Sequence, residues 1–227
     1  MTTDNRAALH EAALFANLGR SELERVAALA RRRAFRRDEV VFRQEDPPGP
    51  VYVITSGRVK IAVVSRDGKE SVLAYLSPSD SLGELGALSN LPRSVDAVAV
   101  EPTETLYFLR DDFLGLVTDI PAVALQLIRQ AARRLRAADE LVGDMVFYDV
   151  PGRVAKRLLD LAKDFGVTTD EGLQIQLPMT QRDLANAVGS TREMVNRVLK
   201  HYKARGYVEQ RGDRLIILRP EALQRLT

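Results

Sequence analysis

The hydrophobic positions of this chain follow two different periods, and the change between them divides it into regions. Between about Ala34 and Leu109, short runs rich in β-branched residues recur at close spacing, separated by turn-forming residues. The predicted strands are Val40–Phe42, Val51–Thr55, Val59–Val64, Ser71–Leu76, Val95–Val100 and Thr105–Leu109. Evenly spaced short strands of this kind are typical of a β-sandwich, barrel or roll.

Turn and cap residues place further elements around these strands. Arg66–Lys69 carries an Asp-Gly pair, which tolerates positive φ and predicts a hairpin tip. Before the strands, the alanine- and leucine-rich segment Ala7–Ala16 predicts a short helix. A second helix is predicted to follow Ser21, an N-cap residue with Glu24 three positions later.

From Ile120 to about Phe147 the period becomes helical. Its apolar positions, at spacings of 4, 4, 3, 4 and 3, are Leu127, Ala131, Leu135, Ala138, Val142 and Met145. Such spacing is close to the heptad seam of a coiled coil. The helix could pack against its own domain, but its length favours the seam of a homodimer.

Asp149–Gly152 breaks this helix and predicts a domain boundary. The predicted regions are a β-rich domain at 1–118, a dimerisation helix at 119–148 and a third domain at 149–227. The pattern of the third domain predicts a helix (Arg153–Phe165), a polar loop (Gly166–Gly172), a short strand (Leu173–Leu177), helices near Gln181–Val188 and Thr191–Arg205, and two strands around the turn Arg211–Asp213.

Composition excludes several classes of protein. The chain of 227 residues has no cysteine, which excludes disulfides, thiolate metal sites and a cysteine nucleophile. Neither a membrane-spanning apolar run nor a signal peptide is present, so we predict a cytoplasmic protein. Residues 1–148 hold 19 basic and 21 acidic side chains, whereas residues 149–227 hold 14 and 10. The basic excess of the third domain suggests an anionic partner.

The third domain contains a helix-turn-helix pattern. Thr180–Asp183 and Ser190–Glu193 have the sequence of capping boxes, which open two consecutive helices. Between them lie Ala185, small enough for a close helix crossing, and Gly189, which permits the turn. The two strands that follow complete a winged helix.

The second of these helices separates into two faces. Val195, Val198, Leu199 and Tyr202 are predicted to face inward. The outward side chains are Arg192, Glu193, Asn196, Arg197 and Lys200. Arginine can donate to guanine and glutamate can accept from cytosine, so this face suits DNA bases. An ordinary solvated helix with a Glu193–Arg197 pair is the alternative interpretation.

In this context Thr191–Arg197, preceded by Phe147–Arg153, resembles the cAMP-receptor/FNR family of bacterial transcription regulators, over essentially the whole chain. The resemblance implies an α+β fold: an N-terminal cyclic-nucleotide-binding β-roll, a long dimerisation helix and a C-terminal winged helix-turn-helix. It further implies that Arg192, Glu193 and Arg197 read TGTGA-like half-sites. The other predicted DNA-binding residues are Thr180, Thr191, Asn196, Lys200, Arg211 and Arg214.

A second motif runs from Gly83 to Ser94, inside the β-rich domain. It supplies a helix start, a guanidinium and a hydroxyl, which suit a phosphate, and a carboxylate, which suits a ribose hydroxyl. Taken alone, a β-turn with a solvated glutamate is an equally good interpretation. The motif resembles the phosphate-binding cassette of cyclic-nucleotide-binding domains. That resemblance implies Arg93 and Ser94 on the cyclic phosphate, Glu84 on the 2′-hydroxyl, and backbone contacts from Gly83 and Leu85.

Base recognition departs from the family pattern. Members that recognise cAMP usually place threonine and a small polar residue on the long helix, where this chain has Ala138 and Asp139. Asp139 could accept a hydrogen bond from an adenine amino group, and Arg134 could stack on the base. We therefore expect cAMP as the effector, with a regulator of the same fold that binds DNA independently of cyclic nucleotide as the alternative.

An enzymatic function is not expected, because neither His10 nor His201 has the spacing of a metal site or a catalytic triad. No metal is expected, and the absence of cysteine with so few histidines disfavours a haem sensor. A regulatory subunit that acts on a protein partner is disfavoured by the helix-turn-helix. The expected partners are double-stranded DNA, a second copy of the chain and RNA polymerase, for which the loop Gly166–Gly172 is the candidate surface.

Overall fold

The computed structural model describes residues 2–177, 179–211 and 214–227, which divide into two compact units, the first ending at Leu135 and the second beginning at Arg136. The first unit contains α1 (Thr2–Glu11), α2 (Arg20–Leu29), β1 (Arg31–Phe35), β2 (Val40–Phe42), β3 (Val51–Ser56), β4 (Val59–Val64), β5 (Glu70–Leu76), β6 (Ser81–Leu82), α3 (Glu84–Ser89), β7 (Asp96–Ala99), β8 (Thr103–Phe108) and α4 (Arg110–Asp119). The helix α5 (Pro121–Phe147) begins in the first unit and ends in the second.

Two antiparallel sheets form the roll of the first unit, with strand orders β1-β8-β3-β6 and β2-β7-β4-β5. The first four residues of strand β3, Val51–Ile54, are all apolar and buried, and the packing explains why. Tyr52 and Ile54 pack with Phe35 and Leu82 inside the roll, while alternate residues of β3 pack with α1, α2, α4 and α5 on the other face. Because side chains alternate across a strand, a strand covered on both faces is apolar at every position.

Three expectations about the first unit are wrong in detail. The first helix is Thr2–Glu11 and not Ala7–Ala16. The second helix begins at Arg20, capped by Gly19, whose N–H donates to the Glu22 carboxylate at 2.8 Å, and not at Ser21. The predicted strands omitted β1, whose first four residues are exposed, so the arginine-rich strand lacks the apolar alternation that reveals a strand. Pairing with β8, from Arg31 opposite Tyr107 to Phe35 opposite Thr103, holds it in place.

The long helix is present with the predicted length, but part of its predicted seam is not free. Leu127 is only 7% exposed and belongs to the core formed by the helices and sheet of the first unit. Leu135 and Val142, in contrast, are each 63% exposed. Leu127 therefore stabilises its own unit, whereas the exposed apolar positions of α5 include the adjacent Ile128 as well as Leu135 and Val142.

The second unit contains α6 (Val150–Phe165), β9 (Gly166–Thr169), β10 (Gly172–Ile175), α7 (Gln181–Ala187), α8 (Arg192–Ala204), β11 (Val208–Arg211), β12 (Arg214–Ile217) and α9 (Pro220–Gln224). Its sheet has the order β11-β12-β10-β9. The segment Gly166–Gly172 is therefore not an open loop, since its first four residues are strand β9, paired with β10. The tip of the wing, at Gly212 and Asp213, lies outside the described residues.

The predicted α+β class is confirmed: a β-roll, a long helix and a winged helix-turn-helix follow one another along the chain. None of the helices in the described ranges is long and apolar enough to cross a membrane.

Candidate DNA-binding and ligand-binding sites

Reciprocal hydrogen bonds begin α7, as its sequence predicts. The Thr180 hydroxyl accepts from the Asp183 N–H at 3.1 Å, and the Thr180 N–H donates to the Asp183 carboxylate at 2.9 Å. This arrangement satisfies backbone donors that the first turn of a helix leaves unpaired. Thr180 is thus committed to the cap of α7.

The turn between α7 and α8 requires the predicted glycine. Gly189 has a φ of +60°, which side chains with a Cβ rarely adopt, and Ser190 donates its N–H to the Ala185 carbonyl at 3.0 Å. The cap of α8 differs from the expectation by one residue. Thr191 is the N-cap, its hydroxyl accepting from the Met194 N–H at 3.2 Å, so Ser190–Glu193 is not the capping box.

The two faces of α8 are as predicted. Val195, Val198, Leu199 and Tyr202 are buried against the rest of the second unit. Arg192, Glu193, Arg197 and Lys200 are exposed, and Asn196 is half-buried. The helix therefore presents forked cations and one carboxylate on an open face, which is the chemistry that base edges in a major groove require.

An arginine to which the sequence analysis assigned no role, Arg153, stabilises this helix-turn-helix. Arg153, in the first turn of α6, donates to the Val188 carbonyl at 2.8 Å and to the Tyr148 carbonyl at 2.7 Å. Val188 caps the C-terminus of α7. Arg153 thus ties the turn of the helix-turn-helix to the segment between α5 and α6, a link that no local sequence pattern reveals.

On the wing, Arg211 and Arg214 differ in their surroundings. Arg214 is exposed at the start of β12. Arg211 is held by two carboxylates, those of Glu171 and Glu209, at 2.5 to 3.1 Å. The predicted phosphate-binding arginine of β11 is therefore already engaged within the second unit.

In the first unit, the Gly83–Ser94 motif surrounds a buried arginine. Arg93 is only 3% exposed. Its terminal nitrogens donate to the carbonyls of Gly83 at 2.6 Å and Pro50 at 2.7 Å, and its guanidinium lies 4.4 Å from the centre of the Phe42 ring. Its backbone pairs with Glu45 and Asp46. The loop between β2 and β3, which sequence reasoning treated only as a turn, therefore forms half of this site.

Two glycines, Gly83 and Gly49, make room for the Arg93 guanidinium because they have no Cβ. Gly83 has a φ of +90°, and a Cβ built there would lie 2.7 Å from Nη1 of Arg93. A Cβ on Gly49 would lie 3.3 Å from Nη2. Gly83 is thus needed both for its left-handed conformation and for the close approach of the guanidinium.

A second buried charge lies beside the first. Glu84, in the first turn of α3, is 3% exposed and accepts a hydrogen bond from Nη1 of Arg134 on α5. The other terminal nitrogen of Arg134 donates to the Ser81 carbonyl at 2.7 Å, and the Ser81 hydroxyl bonds to Gln130. The first half of α5 therefore holds Glu84 in position.

Both buried charges keep an unused polar atom. Nε of Arg93 and Oε2 of Glu84 are buried without a hydrogen-bond partner in the structure. Burial lowers the pKa of the Arg93 guanidinium from its ordinary value, partly offset by Tyr52 and Glu84. Unpaired buried donors and acceptors are costly, and they are often sites where a ligand binds.

The remaining predicted ligand residues lie on the surface. Leu85 and Ser94 are exposed at the two ends of the cassette. Asp139 is exposed on the part of α5 that belongs to the second unit. The structure thus brings together Gly83, Glu84, Arg93 and Arg134 in one place. Among the described residues, no three acidic or histidine side chains form a group that could hold a metal ion.

Comparison with known proteins finds one domain family in each half of the chain. The family model of the cyclic nucleotide-binding domain matches residues 32–119, and that of the Crp-like helix-turn-helix domain matches residues 152–226. The chain is 37% identical over 191 residues to a CRP-like cAMP-activated global transcriptional regulator of Mycobacterium tuberculosis, covering 84% of this chain and 85% of that protein. It is 34% identical over 210 residues to the cyclic AMP receptor protein of Thermus thermophilus, covering 92% and 94%.

Solved structures show the same architecture. The regulator CLP of Xanthomonas campestris, described as c-di-GMP responsive, superposes with a TM-score of 0.78 and 28% identity, covering 88% of this chain and 99% of that one. With two domain families matched in order and relatives aligned over most of their length, the chain belongs to the CRP/FNR family of DNA-binding transcription regulators.

Proposed function

We propose that this protein is a homodimeric, non-enzymatic transcription regulator that binds a cyclic nucleotide, with cAMP as the first candidate, and then a palindromic DNA site with TGTGA-like half-sites. The observation that supports ligand binding is that Arg93 and Glu84 are both buried and that each has one polar atom without a hydrogen-bond partner. The proposed activity is regulation of transcription in the cytoplasm, where the DNA lies.

A cyclic nucleotide supplies what the two unpaired atoms need. Nε of Arg93 is a cationic donor and suits a phosphate oxygen, whereas Oε2 of Glu84 is an acceptor and suits a ribose hydroxyl. Ser94 would add its hydroxyl to the phosphate, and Gly83 and Leu85 their backbone. An anion would also compensate for the desolvation that lowers the pKa of Arg93.

The base is the less constrained part of the ligand. Arg134, which was expected to stack on it, donates to Glu84 and Ser81 and so orients the ribose-binding carboxylate. Asp139 stays the predicted acceptor for an amino group, and Ala138 has no hydrogen-bonding group in its side chain. The deciding experiment is calorimetric titration of nucleotide-free protein with cAMP, with cGMP, and with c-di-GMP, which the Xanthomonas relative is described as sensing.

The titration also tests the alternative, a regulator that binds DNA without cyclic nucleotide. That alternative is favoured by one feature: both terminal nitrogens of Arg93 and one oxygen of Glu84 are satisfied within the protein. Cyclic AMP binding in the micromolar range, with tighter DNA binding in its presence, supports the effector proposal. DNA binding that is equal with and without each nucleotide would select the alternative.

DNA recognition is proposed for the exposed face of α8. Arg192, Glu193 and Arg197 would contact bases, each bidentate contact discriminating by about 1–3 kcal/mol. Residues at the helix starts, on α8 and on the wing would meet the backbone: Thr180, Thr191, Asn196, Lys200, Arg211 and Arg214. Selection from random DNA, with cAMP present, should return a symmetric TGTGA-type motif.

The dimer is proposed from exposed apolar side chains on α5. Ile128, Leu135 and Val142 recur every seven residues and are at least 63% exposed. Residues spaced by seven occupy one and the same position of a heptad, as expected for one row of the seam of a two-stranded coiled coil. A two-fold symmetric dimer would place two recognition helices one DNA turn apart, which matches a palindrome.

Activation of transcription would further require contact with RNA polymerase. The candidate surface is Gly166–Gly172, which comprises strand β9 and the turn into β10 and whose Val167 is exposed. Reporter transcription from a promoter with the selected site should fall when Val167 is replaced by a charged residue, while DNA binding is unchanged.

A further inference from the structure

The arginine at the end of β11 is held by two carboxylates, one from its own strand and one from the turn between β9 and β10. Nη1 of Arg211 donates to the two carboxylate oxygens of Glu171 at 2.6 and 2.5 Å. Nε and Nη2 donate to the two oxygens of Glu209 at 2.9 and 3.1 Å. Every nitrogen of the guanidinium is thus engaged, with both carboxylates in the bidentate range.

The pairing joins parts of the second unit that are distant in sequence. Glu171 lies in the turn between β9 and β10, and Glu209 lies on β11 itself, two residues before Arg211. Hydrogen bonding with Arg211 lowers the pKa of the Glu209 carboxyl and raises the pKa of the guanidinium. The group of three side chains carries two negative charges and one positive charge on the surface of the second unit.

This arrangement opposes the role proposed for Arg211. A guanidinium binds phosphate through the same forked N–H groups that it uses for carboxylate, so one contact excludes the other. The side chains of Arg211 and Glu171 are 51% and 50% exposed, so solvent screens the pair and an exchange of partners is cheap.

We propose that Glu171 and Glu209 compete with DNA phosphate for Arg211, and that these two glutamates thereby limit the affinity of the wing for DNA. Arg211 reaches a phosphate only when both carboxylates give it up. This inference rests on the proposed function of the wing in binding the DNA backbone.

The test is a double-mutant cycle on DNA affinity, measured on the selected palindrome over a series of salt concentrations. The double variant Glu171→Gln/Glu209→Gln should bind about three- to fivefold more tightly than wild type, because exposed ion pairs are weak competitors. Arg211→Gln alone should weaken binding less than about twofold. When Arg211→Gln is added to the double variant, it should abolish the gain in DNA affinity and reduce the dependence of affinity on salt by about one unit of slope.

The control separates competition for Arg211 from the general removal of negative charge. Asp164→Asn removes one exposed carboxylate of the same unit, at the end of α6, and should change affinity equally with and without Arg211. Thermal unfolding checks that each variant is folded.

Two outcomes overturn the inference. If Glu171→Gln/Glu209→Gln gains the same affinity in the Arg211→Gln background, the glutamates act only as general charge. If the double variant binds no more tightly than wild type, they do not compete. Absence of any sequence-specific binding by the wild-type protein would instead mean that the proposed function itself fails, and it is measured first.

Discussion

Tyr202, on the recognition helix α8, donates its hydroxyl to the backbone carbonyl of Pro151 at 2.8 Å. Pro151 lies in the first turn of α6, directly after the segment that ends α5. The phenol ring is almost completely buried, and burial raises the pKa of Tyr202. The hydrogen bond therefore joins the helix proposed to read DNA to the beginning of its own domain.

Replacing Tyr202 by phenylalanine should lower the free energy of unfolding by about 1–2 kcal/mol, because the partly buried Pro151 carbonyl loses its donor. The variant retains all the side chains proposed to touch DNA. Thermal unfolding measures the effect, with Tyr207→Phe as the control for the loss of a tyrosine hydroxyl. A variant as stable as wild type would show that the bond contributes nothing.

Because of Tyr202, we expect the stability of the protein to depend on pH in the alkaline range. Since the folded pKa of Tyr202 lies above the unfolded value, the neutral phenol favours the folded state. Its stabilisation is complete below the unfolded pKa of about 10 and is lost as the pH rises towards the folded value. Stability measured from pH 8 to pH 11 should therefore fall less steeply for Tyr202→Phe than for wild type, and equal slopes would contradict the assignment.

The long helix offers a matched pair of substitutions. Leu135→Glu places a charge on an exposed apolar position and should give folded monomers that no longer bind the palindrome specifically, as measured by light scattering and DNA binding. Leu127→Glu places the charge in the core of the first unit and should unfold it, since an unpaired buried charge is strongly destabilising. An unchanged molecular mass for folded Leu135→Glu would reject the proposed seam.

Arg93→Ala should weaken cyclic nucleotide binding by tenfold or more, because loss of a charge-assisted pair in a desolvated pocket costs roughly 2–5 kcal/mol. Calorimetry measures the affinity. Since Arg93 also bonds to Gly83 and Pro50, thermal unfolding is measured in parallel. Arg129→Ala, an exposed arginine on α5, is the control and should bind as wild type does. Equal affinity of Arg93→Ala and wild type would exclude this site.

Arg192→Ala and Lys200→Ala should affect DNA binding in different ways. Loss of Arg192 should flatten the preference at one G·C pair, while loss of Lys200 should weaken binding to all sequences and reduce the salt slope by about one unit. Selection from random DNA measures the first effect and a salt titration the second. The same motif for wild type and Arg192→Ala would remove Arg192 from the base-reading surface.

Elements whose signal is local were predictable from the sequence. The capping residue Thr180 and the glycine at 189 act through bonds or backbone angles within a few residues, so their pattern survives in the linear chain. Strand β1 was missed for the opposite reason. It is exposed along most of its length and is held by pairing with β8, about seventy residues later in the chain.

The sequence by itself determined most of the helices and strands and the helix-turn-helix, because periodicity, caps and turn residues act at short range, and it located the Gly83–Ser94 motif. Only the tertiary structure decided how particular charges and apolar groups are used. Arg93 donates a hydrogen bond to Pro50, 43 residues away in the chain, and Arg211 pairs with Glu171, 40 residues away. Leu127 packs into a core that forms only when the sheet and helices of the first unit come together. Such contacts depend on which strands pair and which faces they bury, and no spacing along the chain records that.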